Sequence, residues 1–146
     1  MNASPVCFGA RDDRFGTFDV PFNGKLASVK LVHLHGYVTC NDRDNSTWSF
    51  WGCGRYKSKQ VNVLITTTNE IALLPSSDYF IYRTETWSLI PGYMSLSPEL
   101  VLSAFSNPPL VTRGQKLRLW YGEDFSNSGE VDNAGKACCD VYACLT

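Results

Sequence analysis

Apolar residues in this chain of 146 residues occur only in short runs, which Gly, Pro, Asn, Asp and Ser interrupt. β-Branched and aromatic residues are frequent within the runs, a combination typical of many short strands and few helices. We therefore predict an all-β chain. The runs place the strands at residues 26–40 (with a break or bulge around Gly36), 48–53, 61–68, 79–84, 116–121 and 137–143.

The segment after Ser97 leaves two structures open. Ser97-Pro98-Glu99 provides the N-cap residue and first-turn proline of a helix, and Asn107-Pro108 provides a stop signal. The apolar residues between these signals suit a short helix and a strand equally well.

Several short strands without helical crossovers favour a single domain over residues 1–146, an antiparallel β-sandwich of the jelly-roll-like kind. Residues 1–15 are a candidate extended N-terminal arm. Within 116–121, alternation places Leu117, Leu119 and Tyr121 on the core face. Trp120 lies on the opposite face, where we expect it to pack under a loop.

Six cysteines and two Asn-X-Ser/Thr sequons indicate the compartment. The cysteine spacing does not fit a zinc site, so we expect a disulfide-stabilised, secreted, extracellular protein. Asn2 and Asn45 are the predicted glycosylation sites, and the polar stretch around Asn45 suits an exposed loop. The predicted disulfide cysteines are Cys7, Cys40, Cys53, Cys138, Cys139 and Cys144.

Strand geometry limits how these cysteines pair. On one extended strand, Cys138 and Cys144 lie roughly 20 Å apart and Cys139 and Cys144 roughly 16 Å, whereas a disulfide needs Cα atoms within about 7 Å. Complete pairing within the chain would therefore join all three to the upstream cysteines. It would exclude a Cys40–Cys53 bridge unless the C-terminus folds back or a cysteine bonds another chain.

Charge argues against two classes of partner. The chain has 13 Lys and Arg against 14 Asp and Glu, a net charge of -1, and no basic run. The sequence therefore indicates no positively charged surface for a phosphate backbone or an anionic bilayer, and we expect neither nucleic acid nor a membrane as partner. The charge does not argue against a homo-oligomer.

Catalytic motifs are absent from the sequence. The two histidines, His33 and His35, lie two positions apart on a predicted strand, so both are expected on one face. No nucleophile elbow, H-E-x-x-H motif or glycine-rich phosphate loop accompanies them, and we predict that the protein is not an enzyme. We interpret the polar segments 11–14 and 41–44 as solvated turns.

The loop over residues 123–135 is rich in oxygen ligands. Calcium takes six to eight oxygens from carboxylates, amides and backbone carbonyls, so a bent loop with several acids suits it. The same acids could instead serve solubility, with residues 132–135 forming an Asx-type turn. The oxygen-bearing side chains are Glu123, Asp124, Asn127, Glu130, Asp132 and Asn133.

This region carries a resemblance. Residues 117–124 (LRLWYGED) and 132–142 (DNAGKACCDVY) resemble the last hairpin of lectin-like jelly rolls, which are extracellular modules of aquatic invertebrates. The Asp-Asn-x-Gly element at 132–135 is also similar to that of calcium-dependent galactose-binding lectins, although Asp132 stands where Asn is usual. The resemblance covers about thirty residues.

The resemblance implies that calcium is held by this loop and in turn holds sugar hydroxyls. On that basis the predicted metal ligands are Asp124, Asp132 and Asn133, and the further ligand-binding residues are Glu123, Asn127 and Glu130. The predicted function is a secreted, calcium-dependent, non-catalytic carbohydrate-binding module whose partners are glycans. The alternative is an extracellular structural or adhesive protein of the same fold, in which the metal only rigidifies the hairpin and the partners are proteins.

Overall fold

A computed structural model describes residues 5–55, 57–81, 87–127 and 130–146. Within these residues a short helix α1 (Gly122–Ser126) and three 3₁₀ helices (Asn45–Thr47, Ser77–Tyr79 and Glu130–Asp132) accompany the strands. The strands are β1 (Val6–Gly9), β2 (Gly16–Asp19), β3 (Gly24–Thr39), β4 (Val63–Thr67), β5 (Ala72–Leu74), β6 (Glu99–Ser103), β7 (Leu110–Val111), β8 (Lys116–Tyr121) and β9 (Ala134–Leu145).

The strands form two antiparallel sheets around one apolar core. The first sheet has the order β1-β9-β3-β6, with β7 paired to the start of β3, and the second has the order β2-β8-β4-β5. Buried side chains from both sheets belong to one hydrophobic cluster. The prediction of an all-β, antiparallel, jelly-roll-like sandwich with disulfides is confirmed.

Strand β8 follows its predicted alternation. Leu117, Leu119 and Tyr121 are fully buried in the core. Trp120 faces the other way and is also buried, with its Nε1 donating to Thr66 Oγ1 at 3.0 Å. Its ring also packs against Phe15, in the loop between β1 and β2, at 4.8 Å between centroids, so the expectation that Trp120 packs under a loop is confirmed.

The segment after Ser97 is a strand. β6 pairs with β3, and its Leu100 and Leu102 are fully buried while Val101 between them is half-buried. This two-residue period fits a sheet facing a core, so tertiary burial overrides the local helix signals.

Two predicted strands do not form as expected. In 48–53, Ser49 makes only an isolated bridge with Val38, because the Cys40–Cys53 disulfide closes this segment as a loop. In 79–84, Tyr79 ends a 3₁₀ helix and Phe80 makes an isolated bridge with Ser88, while residues 82–84 lie outside the described residues.

The N-terminal segment is built into the first sheet. Residues 6–9, within the candidate arm, form β1 and pair with β9 over residues 136–139. The Cys7–Cys138 disulfide joins two residues that face each other in this register.

The disulfide prediction is partly wrong. Cys40 and Cys53 are bonded, whereas Cys139 is a buried free thiol and Cys144 an exposed one. β9 does extend to Leu145, so the argument that its cysteines cannot bond one another agrees with the structure. The error was the assumption that all six cysteines pair.

The connections define two ends of the sandwich. At one end, which we call the acidic end, the chain leaves β8 after Tyr121 and enters β9 at Ala134. The end of β3 lies there too, because Thr39 pairs with Ala134. At the opposite end, which we call the far end, residues 20–23 cross from β2 to β3, and β6 finishes where Ser103 pairs with Ser28. No helix among the described residues is long and apolar enough to span a membrane.

Candidate functional site

Helix α1 begins directly after β8 and positions the first acids of the loop. Glu123 and Asp124 occupy its first turn, and Asn127 ends it with φ of 54°. Asparagine tolerates this left-handed conformation better than most residues do, so the chain reverses here and leads into the 3₁₀ helix that begins at Glu130.

Asp124 is fully buried and holds the loop around residue 13. Its two carboxylate oxygens accept hydrogen bonds from the backbone N–H groups of Asp13, at 3.0 Å, and Arg14, at 3.1 Å. Asp12 and Asp13 both have positive φ, a conformation that aspartate adopts more readily than most residues. Residues more than a hundred positions apart therefore form one unit at the acidic end.

Asp124 also contacts a second carboxyl group. The pKa of Asp124 is raised to about 6, chiefly by burial; a side-chain hydrogen bond with Glu130 and the charge of Glu130 also raise it, whereas the two backbone hydrogen bonds lower it. The Oε2 atom of Glu130 is buried and accepts no hydrogen bond from the described residues. Two acids thus share one poorly solvated site.

Asn133 is another buried side chain at the acidic end. It is fully buried, and its Nδ2 donates to the backbone carbonyl of Ala10 at 3.0 Å. Its Oδ1 receives no hydrogen bond from any described residue. Asn133 and Asp124 therefore bind the same N-terminal loop, while oxygens of Asn133 and Glu130 remain without donors.

The other predicted residues have different surroundings. Asn127 is exposed, Asp132 is half-buried, and Glu123 is buried. Burial, followed by the charges of Glu123 and Asp132, raises the pKa of Tyr121 well above its ordinary value. The backbone carbonyl of Asp132 accepts from the N–H of Asp42 at 2.8 Å.

The side-chain oxygens at the acidic end are of the chemical type that calcium binds, but fewer acids are brought together than the sequence predicted. In the described part of the chain, no group of three or more His, Cys, Asp or Glu side chains is arranged to hold a metal ion. The contacts bring two carboxyl groups together, those of Asp124 and Glu130, while Asn133 with its unbonded Oδ1 binds the same N-terminal loop as Asp124. All three are hard oxygen donors of the kind that calcium prefers.

Sequence analysis missed the N-terminal half of this site. Segment 11–14 is a solvated turn, as predicted, but the backbone N–H groups of Asp13 and Arg14 also bind Asp124. The consecutive aspartates at 12 and 13 were a signal of left-handed backbone, but nothing in the sequence indicated a partner more than a hundred residues away.

His33 makes structural contacts, whereas His35 is exposed. His33 Nε2 lies 2.7 Å from the carbonyl oxygen of Gly36, and its ring stacks on Phe50 at 3.6 Å between centroids. A register shift between His33 and His35 interrupts the alternation on which a shared face depended.

The glycosylation predictions stay open. Asn45 is exposed at the start of a 3₁₀ helix, whereas Thr47 of its sequon is buried with its hydroxyl 2.6 Å from Thr39 Oγ1. Asn2 lies outside the described residues.

The fold and the site together define a disulfide-bonded, two-sheet β-sandwich with a buried acidic group at one end. No family model and no curated protein matches the chain. A solved structure does match it: AJLec, a lectin from the sea anemone Anthopleura japonica, with a TM-score of 0.90, 36% sequence identity, and coverage of 100% of this chain and 95% of that chain. The chain belongs to the same family as this sea anemone lectin.

Proposed function

We propose that this chain is a secreted lectin that binds carbohydrates outside the cell and catalyses no reaction. The observation that carries the proposal is the match to a sea anemone lectin over the whole chain at 36% identity. The two disulfides support an extracellular location, since such bonds persist in oxidising compartments. The structural contacts of His33 support a non-catalytic role.

The proposal includes calcium at the acidic end. Support comes from the Asp124–Glu130 contact, because two carboxyl groups held together away from water repel each other once both ionise. Calcium, when bound, supplies a compensating positive charge and coordination positions for sugar hydroxyls. Asp124 and Glu130 would hold it through carboxylate oxygens, and Asn133 through Oδ1.

The rest of the acidic end keeps these side chains in place. The N–H groups of Asp13 and Arg14 orient the Asp124 carboxylate, and the carbonyl of Ala10 orients the Asn133 amide. A site whose ligands are already oriented loses less conformational freedom when it binds.

Calorimetric titration of calcium tests the metal. We expect heat from the wild type and from the control Glu99→Gln, which removes an exposed carboxylate on β6, and at least about tenfold weaker binding for Glu130→Gln. Asp132→Ala tests Asp132, which the sequence also predicted as a metal ligand. Weaker calcium binding in this variant would add Asp132 to the ligands, and unchanged binding would exclude it. Absence of heat in the wild type at millimolar calcium would contradict the metal proposal.

A glycan array probed with and without chelator tests the sugar. The lectin proposal predicts that at least one glycan gives a signal that chelator removes. The structural or adhesive alternative predicts calcium binding without any glycan signal, so the two functions give opposite results on the same array.

A further inference from the structure

An open cavity of about 350 Å³ lies at the far end of the molecule, between the segments that follow β5 and β6. The backbone N–H of Ser76 donates to the carbonyl of Ser103 at 2.7 Å and joins the two segments. The volume is within the ~300–1,000 Å³ typical of small-ligand sites. The polar side chains that line it are Ser76, Ser77, Asp78, Ser106 and Asn107.

Several of these polar groups are available to a ligand. Asp78 accepts from Ser76 Oγ at 3.2 Å through Oδ2, and its Oδ1 accepts no hydrogen bond from the described residues. The hydroxyls of Ser77 and Ser106 and the side-chain amide of Asn107 also make no hydrogen bond to described residues. Among the described lining residues Asp78 alone is charged. The cavity therefore suits a neutral ligand with many hydroxyl groups and disfavours a phosphate.

An exposed aromatic ring stands beside the cavity. Phe105 lies between the lining residues Ala104 and Ser106 in the chain but does not itself line the cavity; its side chain is 67% exposed and meets Tyr79 edge-on at 5.9 Å between centroids. Its φ of 61° is unusual for a bulky residue. The contact with Tyr79 supports the ring while leaving most of it open to solvent.

We propose that this cavity is a second carbohydrate site, which takes a neutral mono- or disaccharide without calcium. Sugar hydroxyls would bond Asp78 and Asn107, and the apolar C–H face of the ring would lie on Phe105. The choice of sugar as ligand class rests on the proposed function. The site is independent of the acidic end, because Ser28, which pairs with Ser103, is eleven strand positions from Thr39, roughly 35 Å along β3.

Two sites at opposite ends have a functional consequence. One chain could then bind two glycans at once and link two surfaces, with the gain in avidity that simultaneous binding gives.

The test is a neutral-glycan array probed in excess chelator, which silences the calcium site. We expect residual binding to at least one neutral glycan, reduced about tenfold or more in Phe105→Ala and in Asn107→Ala. Phe22→Ala is the matched control, because Phe22 is also 67% exposed at the far end but neither of its chain neighbours lines the cavity, whereas both neighbours of Phe105 do. It should retain binding within about twofold.

The outcomes separate this inference from the proposed function. A chelator-resistant signal that Phe105→Ala removes supports the second site, whether or not calcium-dependent binding is found. Absence of any chelator-resistant signal, or a signal that Phe105→Ala and Phe22→Ala retain equally, would overturn it. Thermal unfolding of each variant confirms that these exposed substitutions leave the fold intact.

Discussion

The acidic end and the far end differ in how their loops are held. At the acidic end, the Cys40–Cys53 disulfide closes one loop, and buried Asp124 and Asn133 bind another. The second disulfide, Cys7–Cys138, ties β1 to the same half of β9. At the far end, large apolar side chains are exposed at or near the loops, and a free cysteine lies on the last strand; the exposed residues are Phe22, Ile71, Phe105 and Leu110.

This difference indicates where precise geometry matters. Oriented polar ligands require a rigid support, which covalent links and buried hydrogen bonds provide. A ring that stacks on a sugar tolerates more variation in position, so the far end can work with exposed side chains on simple loops.

Removal of the Cys7–Cys138 disulfide should produce the largest effect. The bond spans 131 residues, and loop-closure entropy predicts that Cys7→Ala/Cys138→Ala lowers the free energy of unfolding by about 5 kcal/mol. Urea unfolding under non-reducing conditions measures it.

The control for this prediction lies at the far end of the same strand. Cys144→Ala should change the free energy of unfolding by less than about 0.5 kcal/mol, because that thiol is exposed and free. A loss below about 1 kcal/mol in the double variant would mean that the strand pairing holds β1 without the disulfide.

The pH dependence of stability should also separate the two ends. Asp124 has a pKa of about 6 in the fold against its ordinary value of 3.8, so the folded state binds more protons than the unfolded state between these two pH values. This contribution to stability is present below pH 3.8 and is lost as pH rises through 6. Chelated protein should therefore lose roughly 3–6 °C in melting temperature from this group between pH 4.5 and 7.

Glu130→Gln isolates that contribution. It removes the neighbouring charge that raises the pKa of Asp124, so in chelator this variant should melt above the wild type at pH 7 and close to it at pH 4.5. Asp78→Asn at the far end should follow the wild type throughout. Calcium should reduce the difference at pH 7, whereas an identical pH profile in wild type and Glu130→Gln would contradict the coupling of the two acids.

The fold could be predicted where burial and local pattern agree. In β8 the alternation of apolar residues coincides with two-sided packing, and both Leu119 and Trp120 are where the pattern placed them. In 48–53 the aromatic density indicated a strand, but the Cys40–Cys53 disulfide shapes a loop whose Trp51 enters the core and donates to the carbonyl of Ser97 at 2.7 Å. A side chain can be buried without strand pairing.

The site could be predicted only in part. Local composition located the oxygen-rich loop, but not which oxygens would face inward. Asp124 is directed by the backbone around Asp13, and Glu130 by its contact with Asp124. The first contact joins residues 111 positions apart, a long-range choice that no short window of sequence contains; the second joins residues of the same loop, but the sequence does not indicate which acids of that loop meet.

Thiol alkylation should give the smallest effect, and it compares two points on β9. Burial, followed by the charge of Asp140, raises the pKa of Cys139 to about 12, so at pH 8 this thiol is neutral, enclosed and unreactive. Cys144 is exposed near the far end, so iodoacetamide should add one adduct per native chain, and two after denaturation without reductant. Calcium affinity at the acidic end should change by less than about twofold in the singly modified protein, because the modified strand position is remote from the ligands.

Two adducts on the native protein would contradict the burial of Cys139. No adduct would mean that Cys144 is bonded to another chain, and the far end would then be a covalent interface between copies instead of a free surface.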